Sequence, residues 1–298
     1  MQIMNEYICT DLATECRDVS HPEGLQGITY SESVKNGITV SRIEIQSDDA
    51  QRTLGKPKGT YVTLAFGAPW LMDEEQRGCL CETLSSQLAD MIFKMAPDAK
   101  TALVAGLGNR RITADAVGPE TVDRITVTNH LQTLAPSVFL QVGQLAVAAL
   151  VPGVLGDTGI EAAELVAKAA QAVKPDIIIA VDALAARNVD RLGCTVQLSD
   201  CGVAPGSGVG NKRMALTRDT LGVPVLALGV PTVVNSATLV RDALGKAGIH
   251  DISPALKEVL DNGKSFFVTP KESDAALESF SKILSTALDM ALTAQKEA

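Results

Sequence analysis

Three aspartates stand just beyond apolar runs that the sequence predicts to be β-strands. The runs are residues 101–107, 176–181 and 195–199, and the aspartates that follow them are Asp115, Asp182 and Asp200. Because the carboxyl ends of parallel strands meet at one edge of a sheet, we expect these carboxylates to converge there. Two adjacent carboxylates cannot both ionise comfortably, so one keeps a proton and the other is charged. Such a pair can activate water and protonate a leaving amine.

Asp115 and Asp182 are the stronger candidates within this group. Both have apolar neighbours in the chain, such as Ala116 and Val117 after Asp115, and Val181 before Asp182. Surroundings of this kind would desolvate a carboxylate and favour its protonated form. The alternative is that each aspartate caps the start of a following helix. Spacing alone leaves both interpretations open.

The glycine-rich segments do not match nucleotide-binding or serine-nucleophile motifs. The turn at residues 106–108 lacks the third glycine of a dinucleotide fingerprint, because Arg111 occupies that position. The loop at residues 206–213 lacks the Gly-Lys-Ser/Thr ending of a phosphate loop, and Pro205 removes the first glycine of a nucleophile elbow around Ser207. We interpret this loop as a tight segment that binds an anion or contacts substrate, with Lys212 and Arg213 contributing.

Histidine and cysteine patterns predict neither a dedicated metal site nor disulfides. His21, His130 and His250 are far apart and no HExxH motif occurs, although a mixed site of Asp115, Asp182 and His130 stays open. The six cysteines form no CxxC pair, which indicates reduced thiols in a cytosolic compartment.

Strands alternate with helices along the chain, which predicts an α/β fold: a mostly parallel, doubly wound sheet flanked by helices. The unbroken run 177–181 predicts a strand buried on both faces. Only 3% of the residues are aromatic, so the core must consist of Ala, Val, Leu and Ile. Helix starts are predicted at Asp73, at a capping box from Thr158 to Glu161, and at Thr269-Pro270.

The composition and charge of the chain limit the kinds of partner that it is expected to bind. The chain has 298 residues, 46% of them hydrophobic, and a formal net charge of −9. It shows no sustained basic patch, which argues against direct nucleic-acid binding. The N-terminus lacks the basic start and apolar core of a signal peptide, and no segment approaches the roughly 20 apolar residues of a membrane span. We therefore expect neither nucleic acid nor membrane as a partner.

Several blocks of the chain resemble the germination protease family. The most specific are DALAAR at residues 182–187 and PGSGVGN at residues 205–211. The similarity runs from about Cys9 to the last helix and includes residues 106–109, 115–119, 127–131, 151–154, 174–181, 197–200, 221–225, 229–234 and 268–272.

This resemblance implies an atypical aspartic-type endopeptidase that degrades small acid-soluble spore proteins during germination. It also implies a zymogen, a homotetramer and a place in the cytoplasm of the forespore or spore core. The family's two catalytic aspartates fall on Asp115 and Asp182. The residues expected to support substrate and loops are Asn109, His130, Asp200, Ser207, Asn211 and Lys212.

The resemblance also implies self-processing near the N-terminus. Thr10-Asp11-Leu12-Ala13, with Glu15 nearby, resembles the family's processing motif, which is cut after the aspartate. The expected processing site is therefore Asp11–Leu12, with a pro-segment at residues 1–11 and a single α/β peptidase domain at residues 12–298. A disordered terminus is the alternative.

Two other functions stay open at this point. No cofactor is expected, but the implied fold is similar to that of hydrogenase-maturation endopeptidases, which use a nickel-sensing carboxylate and histidine site. A metal-dependent peptidase of that type is therefore an alternative. The chain also departs from the family at Arg110, Ala114 and Ala204, where a tryptophan, a proline and a histidine are usual. These departures keep open a non-catalytic binder that retains the fold.

Overall fold

The computed structural model describes residues 10–20, 26–142, 145–206, 213–249, 251–263 and 266–293. The strands are β1 (Ile28–Lys35), β2 (Ile38–Ile45), β3 (Gly59–Ala65), β4 (Thr101–Gly106), β5 (Ala146–Leu150), β6 (Ile177–Ala186), β7 (Thr195–Ser199), β8 (Val225–Asn235) and β9 (Phe267–Val268). The helices are α1 (Ala13–Ser20), α2 (Asp48–Leu54), α3 (Glu74–Met95), α4 (Val117–Val122), α5 (Leu131–Leu134), α6 (Pro136–Val142), α7 (Leu155–Thr158), α8 (Ala162–Val173), α9 (Arg218–Leu221), α10 (Ser236–Lys246), α11 (Pro254–Asn262) and α12 (Ser273–Thr293).

The described strands form one mixed sheet in the order β1-β2-β3-β7-β8-β6-β4-β5, with β9 paired to β8. The α/β class is thus confirmed. Parallel pairing joins β5, β4, β6 and β8, which is the half where strands alternate with helices. The other half, from β8 through β7, β3 and β2 to β1, is antiparallel.

The sequence analysis did not predict β1, although a local signal for it exists. β1 and β2 are joined by Asn36-Gly37, with φ angles of 53° and 74°. Two consecutive residues with positive φ form the tight turn that suits a twisted hairpin, and Asn-Gly is its preferred sequence. This turn makes the first pairing of the sheet antiparallel.

Both faces of the parallel half are buried, as the run 177–181 predicts. Alternate residues of β6 point to opposite sides: Ile177 and Ile179 pack against α3 and α12, whereas Ile178 and Ala180 pack against α8. Phe280 of α12 is the largest fully buried side chain among the described residues, and most of the remaining core is aliphatic. No helix in the described part of the chain has both the length and the apolar character needed to cross a membrane.

One predicted helix start is confirmed and two are wrong. Asp73 and Gln76 form a reciprocal capping box at the start of α3. Thr158 instead ends α7, and its hydroxyl accepts the N–H of Ile160, so α8 starts separately after Glu161. Pro270 lies in a turn before α12, which starts at Ser273. In both failures a second turn intervenes between the polar residue and the helix.

Gly118 of α4 lets this helix approach the sheet closely. A Cβ at this position would lie 2.3 Å from the carbonyl oxygen of Leu107 and 2.4 Å from that of Val181. Backbone atoms cannot retreat as a side chain can, so Gly118→Ala is expected to lower the free energy of unfolding by roughly 3 kcal/mol. Urea denaturation measures this change.

Gly78→Ala is the matched control. Gly78 is exposed within α3, and no atom lies within 4 Å of its hypothetical Cβ. Alanine there should stabilise the protein by about 0.5–1 kcal/mol, because glycine is entropically costly inside a helix. Equal stability of Gly118→Ala and the wild type would contradict the close packing of α4 against the sheet.

Candidate active site

Asp182 lies inside β6 rather than after it, which corrects the strand end expected at residue 181. β4 stops at Gly106, opposite Val181, whereas β6 continues to Ala186 with β8 as its partner. The continued pairing with β8 keeps β6 extended beyond the end of β4. Asp182 therefore occupies the first position at which one side of β6 is no longer covered by β4.

The carboxyl of Asp182 is almost inaccessible, with 5% of the residue exposed. Its Oδ1 accepts the backbone N–H of Ala183 at 2.9 Å. Burial raises the pKa of Asp182 well above its ordinary value, and the negative charges of Asp115 and Asp11 raise it further. These causes favour the protonated form of Asp182.

Asp115 is brought beside Asp182 by the turn that follows β4. The N–H of Leu107 donates to the carbonyl of Val181 at 2.8 Å, and the N–H of Asn109 donates to Oδ2 of Asp115 at 2.9 Å. Burial raises the pKa of Asp115, while the hydrogen bond from Asn109 opposes that rise. One of the two carboxyls can thus carry a charge while the other holds a proton.

Two cavities flank Asp182. Asp115 and Asp182 line one of about 500 Å³, whereas Lys56 and Gln197 line a second of about 440 Å³. Asp11 and Asp182 contribute to the lining of both. The segment that carries Asp11 therefore lies across one cleft and divides it in two.

This segment, residues 10–15, is hereafter the N-terminal strap. The N–H of Asp11 donates to the carbonyl of Ala185 at 2.8 Å, and the N–H of Ala185 donates to Oδ2 of Asp11 at 2.9 Å. These bonds use the side of β6 that β4 leaves uncovered. The strap thus contacts the backbone of β6 through both the backbone and the side chain of Asp11.

Buried side chains hold the C-terminal part of the strap. Leu12 is fully buried in a cluster with Leu184, Ala186, Leu192 and Val234. Glu15 is 4% exposed, and its two carboxylate oxygens accept the N–H groups of Arg187 at 2.7 Å and Asn188 at 2.9 Å. The hydroxyl of Thr10 also donates to Glu15. Leu12 and Glu15 therefore position the chain on both sides of Ala13.

Gln197 of β7 contacts the strap on the other side of the cleft, and the sequence analysis assigned it no role. Its Nε2 donates to the carbonyl oxygen of Asp11 at 3.0 Å, and its Oε1 accepts the N–H of Ala13 at 2.7 Å. The available signal was a long polar residue in the middle of a short apolar strand. Lys56 adds a contact from Nζ to the carbonyl oxygen of Thr10 at 3.0 Å.

The remaining predicted site residues do not all gather at this cleft. Asp200 is not at the same sheet edge as Asp182, because β7 runs antiparallel to β8 and ends at the opposite edge. There its Oδ1 accepts the N–H of Thr60 at 2.7 Å. His130 is exposed at the start of α5 and does not line either cavity. Ser207, Asn211 and Lys212 lie outside the described residues.

Within the described ranges, no three side chains of His, Cys, Asp or Glu are grouped in a way that could hold a metal ion. The mixed site of Asp115, Asp182 and His130 is therefore not assembled in this structure.

Comparison with known proteins gives consistent matches. The sequence model of the germination protease family matches residues 8–251. Germination proteases from Caldanaerobacter subterraneus subsp. tengcongensis and Clostridium perfringens are 38% and 35% identical, covering 96% and 95% of this chain and 94% of each relative. The germination protease of Priestia megaterium is 40% identical over 81% of this chain and 67% of its own length.

Among solved structures, a [NiFe] hydrogenase maturation protease, HycI from Thermococcus kodakarensis KOD1, aligns with a TM-score of 0.31 and 16% identity. The alignment covers 65% of this chain and 98% of that one. This structural similarity is too distant to support any conclusion about chemistry. The family model, by contrast, matches most of the chain, and two of the sequence relatives are similar over nearly all of it. The chain belongs to the germination protease family.

Proposed function

We propose that this peptidase is of the aspartic type and that Asp115 and Asp182 activate the attacking water. Asp182 is the more deeply buried carboxyl, and the charge of Asp115 adds to the causes that raise its pKa. Asp182 therefore holds the proton and acts as the general acid, while Asp115 is charged and acts as the general base.

Hydrolysis of the peptide bond would require two proton transfers, one to Asp115 and one from Asp182. Asp115 accepts a proton from water as the water oxygen bonds to the peptide carbonyl carbon, whose oxygen becomes an anion. Asp182 then donates its proton to the peptide nitrogen, the C–N bond breaks and the carbonyl re-forms. The products are a carboxylic acid and an amine. A buried pair suits both transfers, because desolvation keeps one proton shared between two close carboxyls.

We further propose that the chain is a zymogen that cuts itself between Asp11 and Leu12. The observation that carries this proposal is the position of Asp11, which lines both cavities beside Asp182 and hydrogen-bonds to the backbone of β6. The contacts of Leu12, just before α1, and of Glu15, in the first turn of α1, hold the chain in place at the cleft. The pro-segment is residues 1–11.

We propose that the mature enzyme cleaves small acid-soluble spore proteins during germination, in the cytoplasm of the spore core. Membership of a family named for germination supports this role. The assembly is proposed to be a homotetramer, without nucleic acid or membrane as a direct partner.

Self-processing is tested by incubating the full chain at mildly acidic pH and sequencing the new N-terminus. We expect the new N-terminus to be Leu12, the residue after the proposed cleavage site. Mildly acidic pH is chosen because falling pH favours the form of the aspartate pair that holds one proton. Asp98→Asn, which alters an exposed aspartate, should be processed like the wild type. A chelator should leave the rate unchanged if no metal takes part. A different new N-terminus would argue against this cleavage site, and metal-dependent cleavage would favour the alternative peptidase.

A further inference from the structure

The side chain of Gln197 brackets the Asp11–Leu12 peptide bond. Its Nε2 donates to the carbonyl oxygen on one side of this bond, and its Oε1 accepts the N–H of Ala13 on the other side. The orientation of the amide is unambiguous, because a backbone carbonyl can only accept and a backbone N–H can only donate. The carbonyl that Gln197 contacts is the one that hydrolysis of Asp11–Leu12 would attack.

Gln197 and Asp182 project from the same face of the sheet, on either side of β8. Gln197 of β7 is in register with Gly229 of β8, and Gly229 is in register with Asp182 of β6. Residues in register on neighbouring strands point to the same side. The side chain of Leu184 fills the space above Gly229, 2.4 Å from the position of a hypothetical Cβ there, and it packs with Leu12 of the strap. Asp11, which Gln197 contacts, lines both cavities beside Asp182.

Gln197 is buried, with 6% of the residue exposed. The two hydrogen bonds described for its side chain both go to the strap. Cleavage after Asp11 would leave Nε2 of Gln197 without its acceptor, while Ala13 stays in the chain. A buried donor without a partner costs free energy, so the site would favour the carbonyl oxygen of another peptide. Every peptide bond offers such a carbonyl oxygen, whatever the side chains beside it are.

We propose that Gln197 stabilises the oxyanion that forms on the scissile carbonyl, both in self-processing and in cleavage of other substrates. This proposal rests on the function proposed above. As water attacks, the carbonyl π electrons move onto oxygen, and the Nε2–H of Gln197 donates to the resulting anion. The hydrogen bond strengthens as the charge develops, which lowers the barrier rather than only tightening binding.

The test uses the chain processed to Leu12 and a synthetic peptide of residues 5–20. Gln197→Glu keeps an oxygen for the N–H at the Ala13 position and removes the donor to the carbonyl. We expect kcat to fall about 100-fold to 1000-fold, with KM changed by less than about threefold. Activity should partly return as the pH falls, because a protonated glutamic acid can donate again.

Two further variants separate this role from a structural one. Methionine is similar to glutamine in length and is uncharged, but it cannot donate a hydrogen bond. The kcat of Gln197→Met should therefore fall and should not recover at low pH. Gln171→Glu makes the same chemical change at an exposed position on α8 and should keep full activity. Thermal melting reports whether each variant is folded.

The outcomes distinguish this proposal from the one on which it rests. If the wild type cleaves the peptide, Asp182→Asn does not, and either folded Gln197 variant keeps kcat within about threefold, the role of Gln197 is overturned while the aspartate pair stands. Failure of both Gln197 variants to fold would also overturn it, because Gln197 would then be a structural residue of β7. Unchanged cleavage by Asp182→Asn would instead sink the aspartate pair.

Discussion

Replacing Asp182 by asparagine is expected to lower kcat for peptide cleavage by about 10²-fold to 10⁴-fold, the usual contribution of a general acid. Asparagine fills the same buried space and accepts the N–H of Ala183, but it has no proton to give to the leaving nitrogen. The measurement is single-turnover cleavage of the peptide of residues 5–20, with Asp98→Asn as the exposed control. A variant that retains more than about a tenth of the wild-type rate would exclude Asp182 as the acid.

The same substitution should stabilise the folded protein at neutral pH. The pKa of Asp182 is raised on folding, so its favourable contribution is complete below the pKa of the unfolded chain, at about pH 4, and is lost as the pH rises through the folded value. Asparagine does not titrate. The Tm of Asp182→Asn should therefore exceed that of the wild type by a margin that grows as the pH rises above about 4. A margin that is constant with pH would contradict the raised pKa.

Replacing Glu15 by alanine is expected to reduce self-processing about 100-fold. Two backbone N–H groups, of Arg187 and Asn188, lose a buried carboxylate as acceptor. Hydrogen bonds to charged groups contribute about 1.5–3 kcal/mol each, and about 1.4 kcal/mol corresponds to a factor of ten in population. The strap of the variant is therefore seldom seated against β6.

This variant separates seating of the strap from the chemistry of the site. Glu15→Ala leaves Asp115, Asp182 and Gln197 intact, so the unprocessed chain should still cleave the added peptide, and faster than the unprocessed wild type whose strap occupies the cleft. Asp18→Ala is the control on the same helix, because Asp18 is exposed and its ion pair with Arg17 lies at the surface. Loss of cleavage of both the strap and the added peptide would show that Glu15 supports the fold rather than the seating of the strap.

Much of the fold class followed from local pattern. The apolar run of β6 and the capped start of α3 are each encoded by residues adjacent in the chain, and the structure confirms them. Errors arose where two local signals competed. Thr158 and Glu161 have the spacing of a capping box, yet a short helix ends at Thr158 because Gly159 adopts a left-handed conformation with a φ of 71°.

The direction of a strand was not predictable in the same way. Asp200 was expected beside Asp182 because each follows an apolar run. However, β7 is antiparallel to β8, so Asp200 lies at the opposite edge of the sheet. Whether a strand is parallel or antiparallel depends on its neighbours in the sheet and on the path of its connections. Neither property is present in the strand's own residues.

The sequence by itself determined the family, the two aspartates that could share a proton, and the motif at Asp11–Leu12. These features depend on residue identity and short spacing, which the chain carries directly. Only the tertiary structure decided that Asp182 lies within β6 where β4 ends, and that Gln197 and Glu15 hold the strap from either side. Gln197 meets Asp11 across 186 positions of the chain, and Glu15 meets Asn188 across 173. Contacts over such separations arise from sheet order and register, because long-range pairing brings together residues whose local sequences contain no information about each other.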